Sequence, residues 1–150
     1  GSTSFCRNDT KAIPSKRTNS QRPESSAYFD LQTIKAIQTI GNQGDGRFET
    51  WFDALEFMKN EIDKMDYDVC LLGCGAYGMP LAAHVKRSGK KAVHLGGSLQ
   101  LLFGIRGARW ENSNYNATYN YSKLMNEFWV KPSATETPSK AQQVEEGCYW

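Results

Sequence analysis

The sequence predicts an α/β fold, a Rossmann-like three-layer domain with a small and mostly parallel sheet. The apolar run 69–72 is typical of a strand covered on both faces, and the glycines Gly73, Gly75 and Gly78 follow it before an amphipathic helix. Elements also alternate along the chain in the order strand, helix, strand, helix, strand. Because right-handed crossovers join such elements, they predict a parallel sheet.

The first half of the chain begins with a polar stretch, residues 1–27, that lacks periodicity and predicts a flexible arm before a domain over 28–150. Segment 30–40 has isoleucines at helical spacing but is rich in β-branched residues, and we predict a strand there. A long helix follows the glycine-rich loop 41–46. Its predicted buried face comprises Phe48, Phe52, Leu55, Met58 or Lys59, and Ile62.

After the glycine turn, a helix is predicted to begin near Ala76 or Tyr77 and to end at the Ser88-Gly89 pair. The run 91–95 predicts the next strand, and shorter helices are expected over 98–103 and 119–128. The chain ends in Cys-Tyr-Trp, an aromatic terminus that we expect to pack back on the domain or on a partner.

Composition limits the function classes. A chain of 150 residues with 39% hydrophobic and 23% charged residues is ordinary for one globular domain. A net charge of +2 gives no reason to expect nucleic-acid binding, and no apolar run is long enough for a transmembrane segment. The four cysteines form no C-x-x-C pair and are interpreted as reduced core thiols, so a cytoplasmic location is predicted.

The glycine turn predicts an anion site. The first N–H groups of a helix lack intrahelical partners and lie at the positive end of its dipole, so a phosphate group fits there. Ligands of parallel sheets bind at the carboxyl ends of the strands, which adds the residues that follow the strand 91–95. The candidate binding residues are Gly73, Gly75, Ala76, Tyr77, Gly78, Gly96, Gly97, Gln100, Arg106 and Arg109. The alternative is that the glycines serve packing alone.

The end of the predicted strand 91–95 bears on the choice of cofactor. A dinucleotide site expects an acidic residue there to hold the ribose hydroxyls, but His94 takes this position. The sequence therefore argues against NAD. A methyltransferase that uses S-adenosylmethionine is also ranked low, because Leu71 stands where its first motif usually has an acid.

Side chains near this edge suggest the chemistry. Arg106 or Arg109 can hold a diphosphate bidentately, although either can instead pair with a structural carboxylate. His94 is the candidate catalytic base or phosphate-orienting group, with a satisfied strand-end histidine as the alternative. Trp110 or Tyr77 can stack on a base or sugar ring, although a core anchor is favoured. For a divalent metal such as Mn²⁺ or Mg²⁺, the candidate ligands are Glu136, Glu145 and Glu146, with solvated surface acids as the favoured alternative.

The runs Tyr67-Asp-Val-Cys-Leu-Leu-Gly-Cys-Gly-Ala-Tyr-Gly78 and Gly89-Lys-Lys-Ala-Val-His-Leu-Gly-Gly97 resemble the C-terminal part of the GT-D-type glycosyltransferases. The stretch from Trp51 through Leu-Gln-Leu-Leu-Phe-Gly-Ile-Arg-Gly-Ala-Arg-Trp110 to the C-terminus looks like a group of proteins associated with surface polysaccharide synthesis. The resemblance implies a nucleotide-sugar donor, a glycan acceptor and a metal-binding Asp-x-Glu motif on the N-terminal side. This chain has no Asp-x-Glu.

Two function classes follow. The first is a glycosyltransferase-type domain that binds a nucleotide sugar for polysaccharide or glycoconjugate synthesis, either alone or as the C-terminal part of a longer enzyme. The second is a non-catalytic nucleotide-binding or interaction module that completes a larger enzyme, as a homodimer or with a partner domain. We predict the first class, and the missing acidic motif, the small sheet and the aromatic terminus are the reasons to keep the second as its alternative.

Overall fold

The computed structural model describes residues 30–38, 46–143 and 145–150. In chain order these residues form α1 (Trp51–Asp63), β1 (Val69–Leu72), α2 (Gly78–Arg87), β2 (Lys91–His94), α3 (Leu99–Leu102) and α4 (Ala108–Glu111), with short 3₁₀ turns between and after them. They make a mixed α/β fold with a two-stranded parallel sheet. The predicted flexible arm, residues 1–27, lies outside the described residues.

Helix α1 begins with a capping box. The Thr50 hydroxyl accepts from the Asp53 N–H at 3.2 Å, and the Asp53 carboxylate accepts from the Thr50 N–H at 2.9 Å, so two N–H groups at the helix start are satisfied. Its buried face comprises Ala54, Leu55, Met58 and Ile62. Phe52 was predicted on that face but is 70% exposed, because the buried face runs through Ala54 instead.

Strands β1 and β2 pair in parallel, with Val69 opposite Lys91 and Leu72 opposite His94. Helix α2 connects them, and Gly89, with a φ of +83°, follows its end in the left-handed conformation that favours glycine. Helices α1 and α2 pack against each other and share one core with the end of β1. The sequence predicted these elements close to their observed bounds.

One face of the sheet carries no covering element in the described part of the chain. Val69, Leu71 and Val93 on this face are 45%, 37% and 44% exposed. The prediction that β1 is covered on both faces is therefore wrong, because both helices share the core on the other side. The described residues form a smaller assembly than the predicted three-layer domain.

The predicted strand over 30–40 is not a strand in its described part, residues 30–38. Ile37 is buried instead, and its N–H points at the Met58 sulfur at 3.5 Å. An apolar cavity of about 40 Å³, lined in part by Ile34, Ala36, Cys70 and Leu72, adjoins both this segment and β1. The segment thus contributes side chains to the core without extending the sheet.

The C-terminal part is made of short elements. Instead of the predicted helix over 119–128, the chain forms a 3₁₀ turn, Tyr121–Leu124. The helix is prevented because the Asn120 and Asn126 side chains accept from the N–H groups of Ser122 and Phe128, which fixes local turns. The last residues lie against α4 and satisfy its first N–H groups: Ala108 donates to the Trp150 carbonyl at 3.2 Å and Arg109 to the Cys148 carbonyl at 2.8 Å. None of the helices in the described ranges has the length and apolarity needed to cross a bilayer.

Candidate functional site

The candidate site lies where β1 ends. Gly73 follows the buried Leu72, and a Cβ atom at Gly73 would lie 2.7 Å from Leu99 Cδ2, 2.9 Å from Leu99 Cβ and 3.0 Å from the Gly96 carbonyl oxygen. Glycine is therefore required at position 73 because α3 packs directly on the turn. Gly75 is required for a different reason, since its φ is +49°.

The N–H groups of this turn divide into two kinds. Tyr77 donates to the Cys74 carbonyl at 3.0 Å and Gly78 donates to the Gly75 carbonyl, so these two amides are already bonded. The N–H groups of Gly75 and Ala76 donate to no acceptor in the described residues, and both residues are exposed. Two amides at the start of the 3₁₀ turn that leads into α2 are therefore open to a ligand.

The end of β2 supplies the second loop. Leu95 donates to the Leu72 carbonyl at 2.9 Å, which holds this loop beside the first glycine turn. Gly96 has a φ of +55° and open space where a side chain would lie. A Cβ at Gly97 would lie 2.2 Å from Tyr149 Cε1, so the Tyr149 ring covers Gly97. The structure thus brings the two predicted glycine clusters together, and Tyr149 encloses part of the second one.

His94 is the last residue of β2 and packs against the first residue of α2. A Cβ at Gly78 would lie 2.1 Å from His94 Nε2, so the imidazole packs against the Gly78 backbone. The Nε2 atom is buried and has no hydrogen-bond partner in the described residues. An imidazole enclosed in this way has to turn about its side-chain bonds before Nε2 can meet a substrate hydroxyl.

Gln100 is fully engaged in packing. It is 1% exposed; its Nε2 donates to the Tyr149 carbonyl at 3.0 Å and its Oε1 accepts from Trp110 Nε1 at 3.2 Å. A buried amide left without hydrogen bonds would cost free energy, so both bonds are maintained. They hold the C-terminal residues and the Trp110 ring beside α3. The Gln100 side chain therefore has a structural role at the edge of the site.

The two arginines have different partners. Arg106 Nε lies 3.0 Å from a Glu111 carboxylate oxygen, an ion pair without the alignment of a hydrogen bond. Glu111 also pairs with Lys131 at 2.7 Å. Arg109 donates to the Tyr149 hydroxyl at 3.0 Å, and its guanidinium carbon lies 4.5 Å from the centre of the Tyr149 ring. Arg106 therefore pairs with a structural carboxylate, which was the alternative to phosphate binding in the sequence analysis.

The candidate stacking rings, Tyr77 and Trp110, are both in the interior. Tyr77 is 3% exposed and stacks on Trp51, with ring centres 4.8 Å apart and planes 7° from parallel. Trp110 is 4% exposed. Both rings anchor the core, as the favoured interpretation of the sequence had it.

Cys70, on β1, has a thiol of low reactivity. Burial in the first place, and neighbouring Cys74 in the second, raise the pKa of Cys70 from 9.0 to about 11. Its thiol is therefore protonated near neutral pH and is a poor nucleophile.

Glu136 and Glu146 are the candidate metal ligands whose side chains the structure describes. Glu136 accepts from the N–H and hydroxyl of Ser133, both at 2.9 Å, and the Glu145 side chain lies outside the described part of the chain. Glu146 is exposed, with a φ of +57°. Within the described ranges, no three His, Cys, Asp or Glu residues come together as a metal-binding group.

Comparison with known proteins gave no matching family model, no similar curated protein and no similar solved structure. The resemblance to GT-D-type glycosyltransferases therefore stays an expectation drawn from its motifs. Sequence reasoning expected the aromatic terminus to pack on the domain or on a partner but did not place Tyr149 over Gly97. It missed Leu99, which packs on Gly73, and Glu111, which pairs with Arg106. The glycines at positions 73 and 97 were the available signal, because each permits a close approach by a side chain from elsewhere in the chain.

Proposed function

We propose that this domain is of glycosyltransferase type and binds a nucleotide-sugar donor, with the diphosphate on the turn between β1 and α2. The observation that carries the proposal is that Gly75 and Ala76 are exposed residues whose N–H groups donate to no acceptor in the described part of the chain. They lie at the carboxyl end of a parallel strand, where the helix dipole favours an anion. The nucleoside and sugar would extend along the loop after β2.

The proposed chemistry is electrostatic. Amide hydrogens and a guanidinium would stabilise the charge that develops on the leaving nucleoside diphosphate. Either arginine is a candidate: Arg109 donates to the Tyr149 hydroxyl, and Arg106 pairs with the Glu111 carboxylate. Both arginines have to exchange partners before they contact a phosphate.

We include His94 as the candidate base for the acceptor hydroxyl. Its Nε2 has no partner in the described residues, which supports a role that is completed only by a substrate. The proposal also includes a cytoplasmic location, supported by Cys70 and Cys74, which remain thiols rather than forming a disulfide. The proposed partners are the donor and a glycan acceptor; no nucleic acid is included.

Calorimetry with a panel of nucleoside diphosphates and their sugar esters tests the donor site. The protein should bind at least one of them saturably, and Gly75→Val should abolish binding, because the added side chain strains the turn and covers its amides. Gly89→Val is the matched control: its φ is also positive, but it lies at the other end of α2. Circular dichroism confirms that both variants fold. Absence of binding across the panel, or equal binding by Gly75→Val, contradicts the proposal.

The second candidate is a non-catalytic module that completes a larger enzyme. It is favoured by the exposed apolar sheet face that carries Val69, Leu71 and Val93. A second copy or a partner domain would cover this face. Sedimentation at rising protein concentration tests it: a stable dimer that Leu71→Glu dissociates, without affinity for any nucleotide, supports the module. A monomer with glycosyl-transfer turnover refutes it.

A further inference from the structure

Residues 112–122, Asn-Ser-Asn-Tyr-Asn-Ala-Thr-Tyr-Asn-Tyr-Ser, form a segment with no charged residue and no aliphatic side chain larger than alanine. We call it the Asn-Tyr segment. It contains four asparagines and three tyrosines, and none of them belongs to the proposed donor site. Such a composition is unusual for a surface segment, where charged side chains are common.

The tyrosine rings are held in fixed orientations around a buried ring. Tyr115 and Tyr121 meet Trp110 edge to face, with ring centres 5.4 Å and 5.2 Å away. Tyr119 meets Tyr121 in the same way at 5.2 Å. Tyr115 and Tyr119 are nevertheless 45% and 46% exposed, so each presents a positioned ring surface to solvent. Their orientation is already determined before any ligand binds.

The asparagine side chains support this surface with their oxygens and leave their nitrogens available. Asn112 accepts from the Asn114 N–H at 2.9 Å, and Asn116 accepts from the N–H groups of Thr118 and Tyr119 at 2.8 Å and 3.0 Å. Within the described residues, the Nδ2 groups of Asn112 and Asn116 donate to no acceptor. Each has two hydrogens to donate.

Ring faces next to amide donors match one class of ligand. A pyranose sugar has an apolar face of C–H groups that stacks on an aromatic ring, and hydroxyls around its rim that accept from amides. The absence of charge in 112–122 disfavours phosphates and nucleic acids, which need cationic partners. Of the residue types enriched at protein interface cores, 112–122 has tyrosine but neither Met nor Arg, so self-association is kept as an outcome of the test. We propose that the Asn-Tyr segment binds a neutral glycan through Tyr115 and Tyr119.

The segment is connected to the loop that follows β2. The Arg109 guanidinium carbon lies 5.3 Å from the Tyr115 ring centre and 4.5 Å from that of Tyr149, and the Tyr149 ring covers Gly97. A glycan on the Asn-Tyr segment therefore lies beside the proposed donor site. Its role as the acceptor rests on the proposed function, whereas its binding does not.

Saturation-transfer NMR and calorimetry with cellohexaose, maltohexaose and chitohexaose test the proposal on the full chain. At least one of these neutral hexasaccharides should bind, with saturation transfer to the C–H protons of its rings. The double variant Tyr115→Ala, Tyr119→Ala should lower the affinity for the glycan about tenfold or more, because it removes the aromatic rings that the bound glycan would cover. The double variant Tyr115→Phe, Tyr119→Phe should keep most of it, because the ring faces remain. Phe52→Ala is the control, since it removes an exposed ring that is 70% accessible on α1.

Three outcomes overturn the proposal. One is the absence of binding to all three probes at millimolar concentration. The second is equal affinity in the double alanine variant, with Tyr119→Ala alone as the check should Tyr115→Ala disturb the Trp110 contact. The third is self-association that the double alanine variant abolishes, which would make the rings a protein contact. This assay contains no nucleoside diphosphate, so a negative result does not contradict the proposed donor site. In the same way, absence of nucleotide binding does not contradict the glycan site.

Discussion

Gly73→Ala is the substitution for which the structure gives the clearest expectation. The new methyl group would lie 2.7 Å from Leu99 Cδ2, 2.9 Å from Leu99 Cβ and 3.0 Å from the Gly96 carbonyl oxygen. The Leu99 side chain can rotate its Cδ2 atom away from the new methyl group. The Leu99 Cβ and the Gly96 carbonyl can move away only if α3 shifts. Overpacking of this kind costs roughly 1–3 kcal/mol of unfolding free energy. For a chain of this size each kcal/mol lowers the Tm by roughly 2–4 °C.

Urea unfolding monitored by tryptophan fluorescence measures this cost, and Gly46→Ala provides the control. A Cβ at Gly46 meets nothing within 4 Å, so this substitution should be neutral or stabilise by about 0.4–1 kcal/mol through the unfolded state. Leu99→Ala supplies the second test. Gly73→Ala should cost less in the Leu99→Ala background, because the shortened side chain no longer meets the new methyl with its Cδ2 atom. Equal stability of Gly73→Ala and Gly46→Ala would refute the packing of α3 on the turn.

Two further predictions follow from the contacts around the site. Gly97→Ala should displace the Tyr149 ring, because Tyr149 Cε1 would lie 2.2 Å from the new Cβ. The Arg109 N–H donates to the neighbouring Cys148 carbonyl, so its hydrogen exchange should become faster. Unchanged exchange of this amide would contradict the prediction. The pKa of Cys70 is raised in the folded state from 9.0 to about 11, so the unfolded thiol loses its proton first. The free energy of unfolding should therefore fall as the pH rises from 9 to 11. Cys70→Ala should show a smaller fall over the same range. An identical fall in both proteins would contradict the raised pKa of Cys70.

Local patterns were enough to predict β1, α2 and β2. Each is short, apolar in the right places and bounded by glycines such as Gly73 and Gly89, so propensity and turn chemistry agree. Segment 30–38 could not be predicted in this way. Its β-branched residues favour a strand, but whether its backbone pairs with β1 depends on how Ile37 packs on α1. The positions of Tyr149 and Leu99 over the glycine loops depend on contacts distant in sequence. Gly73 and Gly97 signal a close approach but do not identify the side chain that makes it.

The glycines themselves separate packing from ligand binding. At Gly73, Gly78 and Gly97 a Cβ would approach a side chain closer than 3.0 Å, so packing alone explains these three. Gly75 and Gly96 have positive φ values; Gly75 is exposed, and a Cβ at Gly96 would meet nothing within 4 Å. These two glycines follow the ends of β1 and β2, which are paired strands. A diphosphate bound there should slow exchange of the Gly75 and Ala76 amides and leave the Tyr77 amide, already bonded to Cys74, nearly unchanged. Protection of Tyr77 without Gly75 would place the ligand elsewhere.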